Sequence, residues 1–173
     1  MYFFQSSPVS YKRFIKRFPT ENSLIKLYAK TYVDFDIESK PKKRRCPHCG
    51  SCQNGPFRKN NEKLRLCKRC GRTFSIFRNS IFDKSKADLR IWMYIGYCMF
   101  YYHHVYFNVD KISRTQIIRE THAPSNATIY HIYDVLYKLF KSQNKVDMLL
   151  IFNIFLPFMK IFHNMNPYRK KEH

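Results

Sequence analysis

Four cysteines occur in two pairs whose spacing is typical of metal ligands. Cys46 and Cys49 form one Cys-x-x-Cys pair, Cys67 and Cys70 form the other, and glycine follows each pair. Two residues between cysteines let one tight turn direct both sulfurs at a single tetrahedral ion, and seventeen residues separate the pairs, as in four-cysteine zinc sites. The glycines can adopt the left-handed conformation that turns the chain back. The pattern predicts one Zn²⁺ bound by these four cysteines.

Other interpretations of the cysteines are weaker. A redox pair or free structural thiols do not explain two pairs at this spacing. Disulfides need a secreted protein, and the N-terminus lacks the basic region and long apolar run of a signal peptide. We therefore expect an intracellular protein, nuclear if eukaryotic and otherwise in the cytoplasm or nucleoid. Cys52 is expected to be a bystander thiol or else an exchanging ligand, His48 an exposed non-ligand, and Cys98 a small core residue.

Positive charge is concentrated around the cysteines. The chain of 173 residues has a net charge of +20, and residues 40–90 hold 16 Lys or Arg against three acids. A protein that acts on neutral metabolites does not need such a concentration of positive charge, whereas a protein that binds phosphates does. Hydrophobic residues at 45% exclude a disordered basic tail. The expected phosphate contacts are Lys42, Lys43, Arg44, Arg45, Arg58, Arg65, Arg69 and Arg72. The basic run at 40–45 could also be a nuclear-import signal or a solvated linker.

Patterning predicts a small α+β protein, a zinc ribbon of short antiparallel strands followed by a helical segment. Residues 1–39 are a helical lead-in, with Thr20 capping a helix whose apolar face includes Leu24 and Tyr28. Residues 40–80 form the ribbon, with strands at 63–66 and 73–76 and turns at Asn54-Gly55 and Asn60-Asn61. The core of such a ribbon is too small to fold without its ion.

Residues 85–141 are expected to be helical. The first helix begins at Ser85 or Lys86. Ser113 caps a short second helix that ends before Pro124, and Ser125 or Asn126 caps a third helix. Two helices around a short break are typical of a helix-turn-helix, although ordinary helical packing remains open. The expected DNA contacts are Asn126, Thr128, Tyr130 and His131 for bases, with Arg114 and Arg119 near the backbone.

Residues 142–173 form an apolar and then basic tail with no clear caps. The apolar run at 148–162 is shorter than the ~20 residues of a membrane span and contains Asn153, Pro157 and Lys160. We expect a helix that is buried or covered by a partner rather than one that contacts a membrane. Whether this segment folds, or is a truncated remnant, stays open.

Four runs of the chain resemble the N-terminal half of transposases of the Merlin superfamily, which includes related bacterial insertion sequences. They are Arg45-Cys-Pro-His-Cys-Gly-Ser51, Leu66-Cys-Lys-Arg-Cys-Gly-Arg-Thr-Phe-Ser75, Ser80-Ile-Phe-Asp-Lys-Ser-Lys86 and Leu89-Arg-Ile-Trp92. Phe18-Pro-Thr-Glu21 also resembles the helical lead-in ahead of the ribbon. The resemblance covers residues 18–140 and implies a zinc ribbon and a helix-turn-helix that bind the ends of a transposable element during DNA transposition. This chain has Arg78-Asn79-Ser80 where members of that family usually have Thr-Gly-Thr.

The resemblance also implies a ribonuclease-H-like catalytic domain, which is not expected here. After Lys141 the acids are Asp147 and Glu172, too few for a two-metal site. We expect a zinc-dependent protein that binds double-stranded DNA and is not an enzyme. The sequence leaves open whether it forms homo-oligomers, and a membrane partner is not expected. The alternatives are a zinc-ribbon module that binds RNA or an acidic protein, an active transposase whose catalytic half is another chain, and a membrane-attached basic protein.

Overall fold

The computed structural model describes residues 7–31, 34–35, 41–42, 45–58, 61–78, 80–122, 125–142 and 144–163. The elements in chain order are α1 (Tyr11–Arg17), α2 (Glu21–Thr31), β1 (Asp34–Phe35), β2 (Pro41–Lys42), β3 (Asn54–Arg58), β4 (Asn61–Cys67), β5 (Thr73–Ser75), α3 (Leu89–Tyr106), a 3₁₀ turn (Val109–Lys111), α4 (Arg114–Thr121), α5 (Asn126–Lys141) and α6 (Lys145–His163). The predicted small α+β class is confirmed.

The strands form two antiparallel sheets. β1 pairs with β2, and β4 lies between β3 and β5 in the second sheet. Arg58 pairs with Asn61, which leaves a two-residue connection at 59–60, beyond the described residues. The predicted turn at Asn54-Gly55 is wrong because both residues lie in β3. A Cβ at Gly55 would lie 3.1 Å from the carbonyl oxygen of Leu66 on β4, so glycine here permits a close strand approach.

α3 is the central helix, and twelve of its residues are buried. It begins at Leu89, three residues later than the later of the two predicted starts. The reason is that the carboxylate of Asp88 accepts from the Arg90 amide at 2.8 Å and caps the helix. Ser85 instead accepts from the Trp92 indole at 2.8 Å, in the turn that leads to the helix.

α4 and α5 follow the predicted break. Ser113 caps α4 by accepting from the amide of Gln116, which confirms the predicted cap. Ser125 occupies the N-cap position of α5, but its side chain makes no capping hydrogen bond. Ile129, Ile132 and Leu136 are buried, whereas Leu139 is half-buried. α5 therefore packs by one apolar face and leaves the opposite face to solvent.

α6 completes the main core. Its buried residues join a cluster that also includes Phe14 of α1, Leu24 of α2 and most of α3. Among the described residues it is the one helix long and apolar enough to cross a membrane by length and composition, a test that core helices also pass. Five of its side chains are buried, including Phe155 against α3. The segment left open by the sequence is thus a helix over Lys145–His163.

Gly96 on α3 gives a test of this packing. A Cβ there would lie 2.1 Å from Cζ of the fully buried Phe155. We expect Gly96→Ala to destabilise the protein by about 1–3 kcal/mol, because the buried Phe155 ring also contacts Phe140 and Phe158 and must shift against them. Urea unfolding measures this, and Gly96→Ala in a Phe155→Ala background should cost much less. Equal losses in both backgrounds would contradict the contact.

Candidate metal centre

The two cysteine turns have the same backbone construction. The Cys46 amide donates to the Ser51 carbonyl at 2.8 Å, and the Cys67 amide donates to the Arg72 carbonyl at 2.9 Å, five residues ahead in each case. In each turn the glycine amide donates back to the carbonyl of the first cysteine, at 2.8 and 2.9 Å. A pattern repeated in two separate segments indicates one structural unit used twice.

Both glycines are in the left-handed region, as predicted. Gly50 has φ of 71° and Gly71 has φ of 69°. A Cβ at either position would meet no atom within 4 Å, so the requirement for glycine comes from the backbone and not from crowding. The turn that follows each cysteine pair directs its two sulfurs to the same side.

The four sulfurs converge on one point. Cys46 Sγ lies 3.8 Å from Cys70 Sγ, Cys49 Sγ lies 3.6 Å from Cys67 Sγ, and all four lie within 4.8 Å of one another. Bonds of 2.3 Å to a tetrahedral ion place two sulfurs about 3.8 Å apart. A disulfide would require about 2.05 Å. The donor set and its spacing therefore fit one metal ion held by four thiolates, one pair from each turn.

Amides and neighbouring thiols set the protonation of this cluster. The backbone amide of Cys70, aided by that of Arg69, donates to the Cys67 sulfur and lowers its pKa to about 7 despite burial. At Cys49 the Ser51 amide acts in the same direction, but burial and the other three sulfurs raise the pKa to about 11. Backbone amides thus favour the thiolate at Cys67, whereas the neighbouring sulfurs oppose it at Cys49, as expected when sulfurs share a small space.

The remaining candidate ligands lie outside the centre. Cys52 is exposed and does not belong to the four-cysteine group. His48 is also exposed, as predicted, and its ring Nε2 lies 3.3 Å from the Thr73 carbonyl. Cys98 is buried in α3, which confirms its core role, and burial raises its pKa.

The predicted phosphate and base contacts are mostly at the surface. Arg119 is exposed, Arg65 and Thr128 are half-buried, and Lys43 and Arg44 lie outside the described residues. Lys42 and Arg58 are described by their backbone in β2 and β3 alone. The other exposed members of the predicted set are Arg45, Arg69, Arg72, Arg114, Asn126, Tyr130 and His131.

Arg114 fixes α4 against α5. Its guanidinium lies 2.7 Å from the Asp134 carboxylate and 4.6 Å from the ring centroid of Tyr133. On the same face of α5, Tyr130 is 44% exposed, and the exposed His131 meets the buried Trp92 edge to face. The N-terminal half of α5 is thereby held on the helical core while its outer face stays open.

Sequence reasoning missed the role of Glu21. One carboxylate oxygen accepts from the Leu89 amide at 2.9 Å, and the other pairs with Lys63 of β4 at 3.0 Å. This one side chain thus connects α2, the start of α3 and the sheet that carries the cysteines. An acid in the first turn of a predicted helix was visible in the sequence, but its two partners lie 42 and 68 residues away.

No family model, curated protein or solved structure matches the chain. Inference of function therefore depends on the residues and geometry of this chain.

The centre predicts one metal ion per chain, lost in Cys46→Ser and Cys67→Ser but retained in Cys52→Ser and Cys98→Ser. The two pairs converge, so each pair is required, whereas Cys52 and Cys98 lie outside the group. Metal content after dialysis, measured by mass spectrometry, checks this, and the cobalt spectrum reports tetrahedral thiolate coordination. Loss of metal in Cys52→Ser with retention in Cys46→Ser would contradict the assignment.

Proposed function

We propose that this chain is a zinc-dependent protein that binds double-stranded DNA, with its cysteine-bearing sheet acting as a zinc ribbon. The observation that carries the proposal is the convergence of four thiols within 4.8 Å among exposed cations. Zn²⁺ is the ion for which tetrahedral four-thiolate sites are typical. A protein whose main charged surface is built around such an ion binds its ligand only in the metal-loaded form.

The charge balance at the two cysteine turns supports phosphate as the ligand. Zinc with four thiolates carries a formal charge of −2. Within or beside the turns, Arg45, Lys68, Arg69 and Arg72 are exposed. These four positive charges exceed the formal charge of −2 on the centre, and the remaining positive charge is available to a polyanion.

The arrangement of α4 and α5 supports a base-reading role for α5. We propose that these helices act as a helix-turn-helix in which the N-terminal half of α5 enters the major groove. Its outer face carries Asn126, Tyr130 and His131, with Thr128 half-buried beside them. Asparagine pairs well with adenine, and the other side chains offer hydrogen-bond donors at base edges.

Binding should weaken steeply with salt and depend on zinc. With about five phosphate contacts, log affinity falls against log salt with a slope of about −4.5. Fluorescence anisotropy with a 20-base-pair duplex measures the slope, and chelation followed by return of Zn²⁺ tests reversibility. Arg69→Ala and Arg72→Ala should each reduce the slope by about 0.9, whereas Lys12→Ala on α1 should not. A flat salt response, or full binding after chelation, would sink the proposal.

We further propose that the chain corresponds to the element-end-binding half of a Merlin-type transposase and has no catalytic activity of its own. The support is the sequence resemblance of residues 18–140. Incubation with duplex DNA and Mg²⁺ or Mn²⁺ should leave the strands intact, because binding is expected to come from the ribbon and α5 without a carboxylate site. Strand cleavage that persists through purification, and is lost on an Asp147→Ala substitution, would refute this proposal.

A further inference from the structure

Phe107 is the most exposed large apolar side chain in the described part of the chain. It is 88% exposed, compared with 44% for Tyr130 and 37% for Ile161. It directly follows α3, and its amide donates to the Tyr102 carbonyl to close the helix. Its ring thus projects into solvent from the end of the central helix.

The backbone of Phe107 makes this exposure more unusual. Its φ of 53° and ψ of 27° are left-handed, at a helix end where glycine or asparagine is the common residue. A bulky side chain is unfavourable in this conformation, and here it buries almost nothing in return. Nothing in the fold explains phenylalanine at position 107. A contact with another molecule would explain it.

Exposed lysines surround the turn that follows. Lys111 lies in the 3₁₀ turn, with its Nζ 4.0 Å from the ring centroid of Tyr106. Asp110 accepts from the Tyr137 hydroxyl at 2.7 Å and pairs with Lys141 at 3.0 Å, which joins the turn to the last turn of α5.

Two further exposed lysines lie on helices that pack against the last turns of α3, where His103 contacts Phe140 of α5 and His104 contacts Phe152 of α6. Lys138 is one helical turn before Lys141, and Lys145 begins α6. Since Asp110 is already paired with Lys141, the local excess is positive. We call Phe107, Lys111, Lys138 and Lys145 the Phe107 surface.

The Phe107 surface lies at the opposite end of α3 from the metal centre. α3 has 18 residues, which corresponds to a length of about 27 Å. The amide of Leu89, at the other end, is bound by Glu21, which pairs with Lys63 of the cysteine-bearing sheet. The Phe107 surface is therefore separate from the proposed ribbon contact.

We propose that the Phe107 surface is a further contact with duplex DNA, in which the Phe107 ring inserts at a base step while its lysines bind phosphates. An apolar ring that enters between base pairs kinks the duplex, and the kink brings more DNA onto a basic protein. This inference rests on the proposed function in one respect, that duplex DNA is the ligand. Duplex is favoured over a membrane because α6, which begins at this surface with the exposed Lys145, also carries the exposed Lys160 near its other end.

Phe107→Gly separates this role from a structural one. Glycine suits the left-handed backbone, so the zinc-loaded variant should melt about 2–4 °C higher. Its affinity for a 20-base-pair duplex should fall about tenfold, and end-to-end energy transfer on a doubly labelled duplex should no longer report bending. His122→Gly is the matched control, since His122 is exposed with φ of 46°. It should gain stability without loss of affinity or bending.

The lysines are tested by salt dependence. Replacement of Lys111, Lys138 and Lys145 by alanine should reduce the salt slope by about 2.7, whereas Lys12→Ala should leave it unchanged. Unaltered binding and bending in Phe107→Gly would overturn this inference while leaving the proposed function intact. Failure of the zinc-loaded wild type to bind duplex would overturn both. Loss of binding to phosphatidylserine vesicles in Phe107→Gly, with duplex binding unchanged, would assign the surface to membranes instead.

Discussion

The sheet β3–β5 has too few apolar side chains to hold its shape without a link among its cysteines. Among the described residues its buried cluster contains Cys46, Cys67 and Phe74, with Cys49 and Cys70 packed against them. The hydrophobic effect of one phenylalanine is about 1.5–3 kcal/mol, whereas a structural zinc ion contributes about 10–16 kcal/mol. With an ion bound, every cation on the two cysteine turns is therefore positioned by sulfur coordination more than by packing.

Aromatic packing and one carboxylate attach this sheet to the helices. Directly after β5, Phe77 packs on Tyr28 of α2, and both rings contact Phe82. Phe82 then meets Trp92 of α3, which in turn touches His131 of α5. With the Glu21 link, these contacts form a continuous path from the cysteine-bearing sheet to the outer face of α5. The cysteine-bearing sheet and the outer face of α5, both proposed to contact DNA, are thus parts of one packed body that is joined through α3 and not by a flexible linker.

Features encoded within a few residues were predictable from the sequence. The cysteine spacing and the glycine after each pair define the metal centre, and Ser113 marks the start of α4, because each depends on local backbone geometry. The predicted start of α3 was wrong because Ser85 and Asp88 are both residues that commonly cap helices. In the structure Ser85 accepts from the Trp92 indole, and Asp88 caps the helix instead.

Features that depend on distant partners were not predictable. Gly55 resembles a turn glycine until β4 is seen to approach it, and the fold of α6 depends on Gly96 leaving room for Phe155. Glu21 and Phe107 show the two extremes. Glu21 bonds to partners 42 and 68 residues away in the sequence. Phe107, in contrast, is 88% exposed and makes almost no contact within the chain. No periodicity carries either signal, so both became visible only in three dimensions.

Under the proposed function, the distribution of charge couples folding to ligand binding. Between residues 40 and 90 the excess of cations is thirteen, and their mutual repulsion opposes the compact state. The thiolates of the metal centre and the Glu21 carboxylate offset part of it, and the exposed arginines of the cysteine turns remain. A polyanion that binds these arginines removes repulsion present in the free protein, and a ligand that binds the folded state stabilises it in proportion to its affinity and concentration. Under the proposed function, the same charges that weaken the free fold strengthen the complex, and metal binding, folding and polyanion binding form one linked equilibrium.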